Sequence, residues 1–298
     1  MNRAKEPTRF LLSPTIDNLL MKLLDGIISL MNEEQFFKEF RIQRISADSL
    51  LGYVQLLKVC FPKFEVSPEY LQWLYFQNPL GSVLGFDAIL DTKIVAHYAC
   101  IPTQVLGIPS LALLSLNSAT LPDFQGRGLF RVLAEKTYSS AEELRYSAVI
   151  GVANAKSLRS FTRHLGFSYL GDLDLRFGSL GRAKLGSRTY SVDDLNWRCN
   201  SPQTQFGWEM QKNGSVKISA RVSKLVKLDA IIPGFNPSKH LWQKCRFGLT
   251  LDWRKGRKPF LFLPKRFKPS PLALIYKSLD GTPPSVLTSW SFPDFDAF

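Results

Sequence analysis

The order of apolar segments predicts an α/β (α+β) fold, a mixed and mostly antiparallel sheet flanked by helices, followed by a second, smaller, β-rich unit. Three observations carry this expectation. Between Phe40 and Gly171 apolar runs of strand length alternate with runs at helical spacing. One strand passes through a glycine-containing loop straight into a helix. Beyond Gly171 the apolar runs shorten, prolines multiply and the charge balance changes. We therefore expect an N-terminal helical extension over residues 1–39, a first domain over 40–178 and a basic C-terminal domain over 179–298.

The elements follow in order. Ile16 to Met31 has apolar residues at helical spacing, interrupted by Asp17, Lys22 and Asp25, so it reads as an amphipathic helix rather than a membrane span. A more regular pattern begins at Phe40 to Ile45. Ala47 to Cys60 reads as a helix with Ser46 as its N-cap, and Pro68 to Phe76 as a second, closed by the turn Asn78-Pro-Leu-Gly81. Ser82 to Leu90 and Lys93 to Pro102 are strands joined by the Asp91-Thr92 turn, and Ser110 to Thr120 is a third. Gly128 to Leu144 is a helix, Ser147 to Val152 a buried strand and Ser157 to Leu165 another helix. Gly178 to Gly186 is a connecting stretch. Further on, strands are expected at Val216–Val222, Leu225–Ile232, Pro259–Leu263 and Leu272–Tyr276, with a helix at Pro237–Lys244. Trp73-Leu-Tyr-Phe-Gln-Asn-Pro79 is faintly echoed by Trp197-Arg-Cys-Asn-Ser-Pro202, which suggests a degenerate second copy of the first fold.

Composition narrows the function. With 45% hydrophobic and 21% charged residues the chain reads as a globular protein, and nothing near Met1 reads as a signal peptide. Cys60, Cys100, Cys199 and Cys245 are far apart and the three histidines, His97, His164 and His240, are scattered, so neither a metal site nor a disulfide framework is expected. That pattern suits a reduced, cytoplasmic protein. The charge is uneven: residues 1–170 carry 17 Lys and Arg against 15 Asp and Glu, residues 171–298 carry 21 against 10. A basic C-terminal part implies an anionic partner, whether a phosphorylated small molecule, nucleic acid or a membrane surface.

The chemistry lies in Leu113-Leu-Ser-Leu-Asn-Ser-Ala-Thr-Leu-Pro-Asp-Phe-Gln-Gly-Arg-Gly-Leu-Phe-Arg-Val-Leu-Ala134. Glycines between a strand and a helix turn backbone N–H groups inward, and the helix N-terminus adds its positive dipole end, so this is an anion cradle. A third glycine and a Gly-Lys-Ser/Thr end are missing, which excludes a dinucleotide fingerprint and a nucleotide phosphate loop. Gln125-Gly126-Arg127-Gly128-Leu129-Phe130 resembles the acetyl-CoA signature of the GNAT superfamily of N-acetyltransferases. Phe130 departs from the small last residue, as it does in polysaccharide-modifying members. About thirty residues on, Asn154-Ala-Lys-Ser157-Leu-Arg-Ser-Phe161 resembles the second part of the family signature. The resemblance covers residues 40 to 175. It implies an acyltransferase, of the kind transferring groups other than amino-acyl groups, that uses acetyl-CoA as cosubstrate and no metal. The acceptor would be an amine, and the basic surplus suggests an anionic one such as a nucleotide-linked amino sugar.

The resemblance further implies that Leu116, Asn117, Ser118, Ala119 and Thr120 offer their backbone to the pantetheine and thioester, that Gln125 to Phe130 hold the phosphates, and that Asn154, Ser157 and Phe161 line the arm. The family's usual proton donor is a Tyr at the position of Phe161, and Phe cannot donate. Either another group serves, with His164 and Tyr138 as candidates, or the thiolate leaves unaided; a non-catalytic member is a further alternative. His97 could be a base, although a satisfied strand histidine is the preferred reading. The ending, Ser291-Phe-Pro-Asp-Phe-Asp-Ala-Phe298, resembles acetyltransferases of the enhanced-intracellular-survival type, whose C-terminal carboxylate is the base. That implies a catalytic role for Phe298, with Asp294 or Asp296 able to act from the same tail, against a packed tail with no chemical role. A competing function is nucleic-acid binding through Trp253 to Lys268, where aromatics interleave with cations; a strand with charged flanks is preferred for that run.

Overall fold

The computed structural model describes residues 39–105, 107–108, 110–177, 191–210, 212, 216–221, 226–232, 247–254 and 272–291. The expected helices at Ile16–Met31 and Pro237–Lys244, the strand at Pro259–Leu263, most of the run from Trp253 to Lys268, and Asp294, Asp296 and Phe298 lie outside them.

The first half builds strands β1 (Arg41–Arg44), β2 (Leu84–Leu90), β3 (Lys93–Thr103), β4 (Ala112–Thr120), β5 (Ala148–Ala153) and β6 (Ser168–Asp172), with helices α1 (Leu50–Cys60), α2 (Pro68–Phe76), α3 (Leu129–Glu143) and α4 (Ala155–His164). The helix expected from Ala47 begins one turn later. Ser46 caps a short 3-10 turn at Ala47–Ser49, its side chain accepting from the Asp48 N–H, and α1 starts at Leu50. By contrast α4, expected from Ser157, starts earlier, at Ala155, because the Asn154 side chain accepts from the N–H groups of Lys156 and Ser157.

The sheet runs β1-β2-β3-β4-β5-β12-β6, where β12 is Ala273–Ser278. Every pairing is antiparallel except β4 with β5. A mixed, mostly antiparallel sheet flanked by helices was the expectation, and it holds. Interior β3 is buried along almost its whole length, as a strand covered on both faces must be. Its successive residues separate the two helical layers. His97 meets Tyr53 of α1 and Tyr75 of α2, and Tyr98 meets Phe130 and Tyr138 of α3.

A second sheet holds β8 (Phe206–Met210), β9 (Val216–Arg221), β10 (Val226–Ile232), β11 (Phe247–Arg254) and β13 (Ser289–Ser291), with β7 (Asp174–Phe177) also on β11. Helix α5 (Val192–Cys199) precedes it; sequence reading marked neither α5 nor β8. The succession of a helix, three antiparallel strands and a parallel fourth occurs in both halves. On β11, Leu249 pairs with Leu228 of β10 and Phe177 of β7, while Asp252 pairs with Asp174 of β7 and Ser291 of β13. A residue has only two edges, so β13 shares an edge with β10 and enters where β10 and β11 part.

The boundary expected at residue 178 is crossed in both directions. Ala273–Ser278, from the C-terminal part, is an interior strand of the first sheet, and Asp174–Phe177, from the N-terminal part, pairs in the second. The halves also meet at Trp73 and Trp197, whose rings stack 4.6 Å apart. Each indole N–H donates to the other residue's carbonyl, at 2.9 and 3.2 Å.

Candidate functional site

Strands β4 and β5 pair in parallel only over Leu113–Ser115 and Val149–Gly151. Past Ser115 and Gly151 they diverge, and β4 runs on to Thr120 with β3 on its other edge. The N–H and C=O groups of Leu116 to Ala119 that face β5 therefore meet no strand among the described residues. A β-bulge sharpens the divergence: Leu116 pairs with Ala99 and Ala119 with His97, so Asn117 and Ser118 together oppose Tyr98. Asn117 has φ +51°, a conformation Asn tolerates better than most side chains.

The loop after β4 opens beside this gap. Gly126 and Gly128 have φ +79° and +83°, and a Cβ on either would meet nothing within 4 Å, so the loop faces open space on that side. Gly128 is the N-cap residue of α3 and has no side chain to cap it. The first N–H groups of α3 are thus left for an external acceptor. Gln125 fixes the loop by donating from its amide to the Thr120 carbonyl at 3.1 Å. Arg127 donates to Glu39 at 2.7 Å and lies over the Phe124 ring.

Across the gap, Asn154 uses its side-chain oxygen to cap α4, and Ser157 donates back to it at 3.2 Å. Phe161 is buried between Phe130 and Phe167, with ring centroids 5.2 and 5.0 Å away, so it forms an apolar wall. Leu129 is buried beside this cluster. Ala119 and Leu116 complete the β4 side.

The catalytic candidates separate. His164 is exposed in the last turn of α4, about 15 Å along the helix from Asn154, and is not brought to the gap. Tyr138 is buried, with its hydroxyl 2.6 Å from that of Tyr98, and Ser115 donates to Tyr98 at 3.0 Å. Tyr138 thus reaches the gap only through two other hydroxyls. Burial pushes the phenols of Tyr98 and Tyr138 well above their usual range, and the Cys100 thiol up to about 12. All three hold their protons.

His97 is the histidine the fold engages. Fully buried on β3, it lies 2.6 Å from Asp87 through Nδ1 and 2.9 Å from the Tyr75 hydroxyl through Nε2. Tyr53 donates to the other Asp87 oxygen at 2.8 Å, and the Asn117 amide donates to Tyr75 at 3.2 Å. The network is satisfied throughout, as the strand-histidine reading expected, yet it ends at the bulge. Sequence reasoning missed Asp87, Tyr75 and Ser115; a carboxylate inside Leu84-Gly-Phe-Asp-Ala-Ile-Leu90 was the available signal.

No protein-family model matches the sequence, and no curated protein matches it. Solved structures do match. A GCN5-related N-acetyltransferase from Kribbella flavida covers 81% of this chain and 71% of its own at 9% identity, with a TM-score of 0.52. A protein of unknown function from Enterococcus faecalis, described as a probable N-acyltransferase, covers 81% and 73% at 9% identity, with a TM-score of 0.51. The chain has the GNAT fold. The likeness extends beyond the first sheet, because residues 39–177 alone could not supply 81% of the chain. In this GNAT-fold chain, no group of three His, Cys, Asp or Glu among the described residues could hold a metal ion. No described helix is long and apolar enough to cross a membrane.

Proposed function

We propose that the chain is an acyl-CoA-dependent N-acyltransferase, moving an acetyl group from acetyl-CoA to an amine. One observation carries this reading: two glycines in left-handed conformation open the N-terminus of α3 beside the gap where β4 leaves β5. The free N–H groups of the first turn of α3 suit a pyrophosphate. The pantetheine arm then continues along β4 in place of the missing part of β5. N–H groups of β4 past Ser115 polarise the thioester carbonyl and stabilise the oxyanion formed when the amine attacks. Phe130, Phe161 and Phe167 exclude water from the sulfur, and no proton comes from position 161.

The C-terminal unit, with its basic surplus, forms the acceptor side and draws in an anionic amine such as a nucleotide-linked amino sugar. We also read residues 191–291 as a degenerate repeat of the first unit, on the strength of the shared strand order and the paired Trp73 and Trp197. In that repeat β13 fills the gap between the parallel strands, so among the described residues only the first unit keeps a cofactor cleft.

Calorimetry with acetyl-CoA tests the reading. Gly128→Glu places a side chain on a left-handed residue and a carboxylate where phosphates sit. Binding is expected in the parent and a loss of at least about a hundredfold in the variant, about 2.7 kcal/mol. Equal affinity in a folded Gly128→Glu protein would falsify the assignment.

A further inference from the structure

We propose that the buried chain Asp87–His97–Tyr75 is a positioning device for the cofactor cleft. It holds the side-chain amide of Asn117 with its oxygen toward the gap, where that oxygen accepts an amide N–H of the pantetheine arm. This rests on the reading that acyl-CoA occupies the opening between β4 and β5.

The first argument is directional. Residues two apart on a strand share a face, so Asn117 would ordinarily follow Ser115, which points to Tyr98 on the α3 side. The bulge turns it over. With φ +51° Asn117 points instead to Tyr75 on the α2 side, and bulges re-aim side chains in this way. The re-aimed residue lies two positions past Ser115, the last β4 residue paired with β5, where a ligand arm takes over from the lost strand.

The second argument follows the hydrogens. The Asp87 carboxylate accepts from Tyr53 and from His97 Nδ1, so Nδ1 carries the proton and Nε2 is left as an acceptor. The Tyr75 hydroxyl donates to Nε2, which leaves its oxygen lone pairs for a donor. Asn117 can satisfy them only with Nδ2. Its Oδ1 is then the free end, and an acceptor at the gap selects an N–H.

The third argument is cost. Asp87, His97 and Tyr75 are each at most 1% exposed, and apolar residues of like volume often serve a core as well as a buried polar network does. Stability alone does not call for this network. Its outlet at half-buried Asn117 does give it a use.

The experiment compares CoA with 3′,5′-ADP, which carries the nucleotide part but no arm, on the full chain. Tyr75→Phe removes the hydroxyl and keeps the ring. Asn117→Gly removes the amide at a backbone angle that glycine adopts freely. We expect CoA affinity to fall about tenfold in both variants, the worth of one hydrogen bond, with 3′,5′-ADP affinity unchanged. A structural defect would weaken both ligands alike, and that outcome overturns the proposal, as does unchanged CoA affinity in Asn117→Gly. Should Tyr75→Phe fail to fold, Asn117→Gly decides. Absence of CoA binding by the parent chain would instead remove the functional reading itself.

Discussion

Asp87 shows how far single residues can be read from sequence. A carboxylate among Leu84, Phe86, Ala88 and Ile89 breaks the apolar pattern of β2, and such a break needs a partner. The partner could not be named, because His97 is brought opposite it by the register of β2 with β3, and register is a tertiary fact. Ser115 and Tyr75 were invisible for the same reason. The glycine loop, by contrast, was legible, since strand, glycines and helix are contiguous in sequence. The energetic consequence of the pair is testable. Asp87→Ala leaves the Tyr53 hydroxyl and His97 Nδ1–H without their acceptor in a dry site. We expect a loss of about 3 kcal/mol in urea unfolding, with little change in m. Asp87→Asn keeps one acceptor and should lose less. An Asp87→Ala protein of parental stability would show that the pair stabilises nothing.

At the level of elements, a capped helix was read closely where an apolar stripe followed the cap and was missed where none did. Ser67 caps α2 and Pro68 opens it, local signals that placed its start, as the turn from Asn78 placed its end. Ser191 caps α5 in the same way, its side chain accepting from the Asp194 N–H, but the short helix lacks a clear apolar stripe and was passed over. Only the echo of Trp73 in Trp197 hinted at it. These indoles clamp α2 to α5 by a stack and two reciprocal hydrogen bonds. Trp73→Ala and Trp197→Ala should each cost about 3 kcal/mol. The double variant should cost about 1 kcal/mol less than the sum, the worth of the aromatic pair, because the two hydrogen bonds end on backbone carbonyls that alanine keeps. Strict additivity in thermal or urea unfolding would mean that the clamp is not a unit.

On the scale of the whole molecule, the first fold was legible and the relation of the halves was not. The place in a sheet that a strand from far along the chain will take leaves no mark in local periodicity. Leu272–Tyr276 was correctly expected to be a strand; that it lies between β5 and β6 was beyond reach. Ala273 to Tyr276 are almost wholly buried, and β12 pairs along all of β5. A chain cut after Phe177 loses that strand and exposes two edges over an apolar face. We expect residues 39–177 alone to aggregate or to lack a cooperative thermal transition, and addition of the β12 strand as a separate peptide to improve solubility. A soluble fragment melting like the parent would contradict this.

The same strand sets an order of events during synthesis. N-terminal units generally fold first as they leave the ribosome, and here the cofactor cleft is built from residues made early, Leu113 to Phe161. Yet β5, one wall of that cleft, must wait for Ala273–Ser278 to be translated before its second edge is covered. All of α5 and β8 to β11 emerges in the interval. The nascent chain therefore carries an open, apolar sheet edge from the time Ala153 is made until Ser278 is, and the cleft closes on its final geometry only when that late strand arrives.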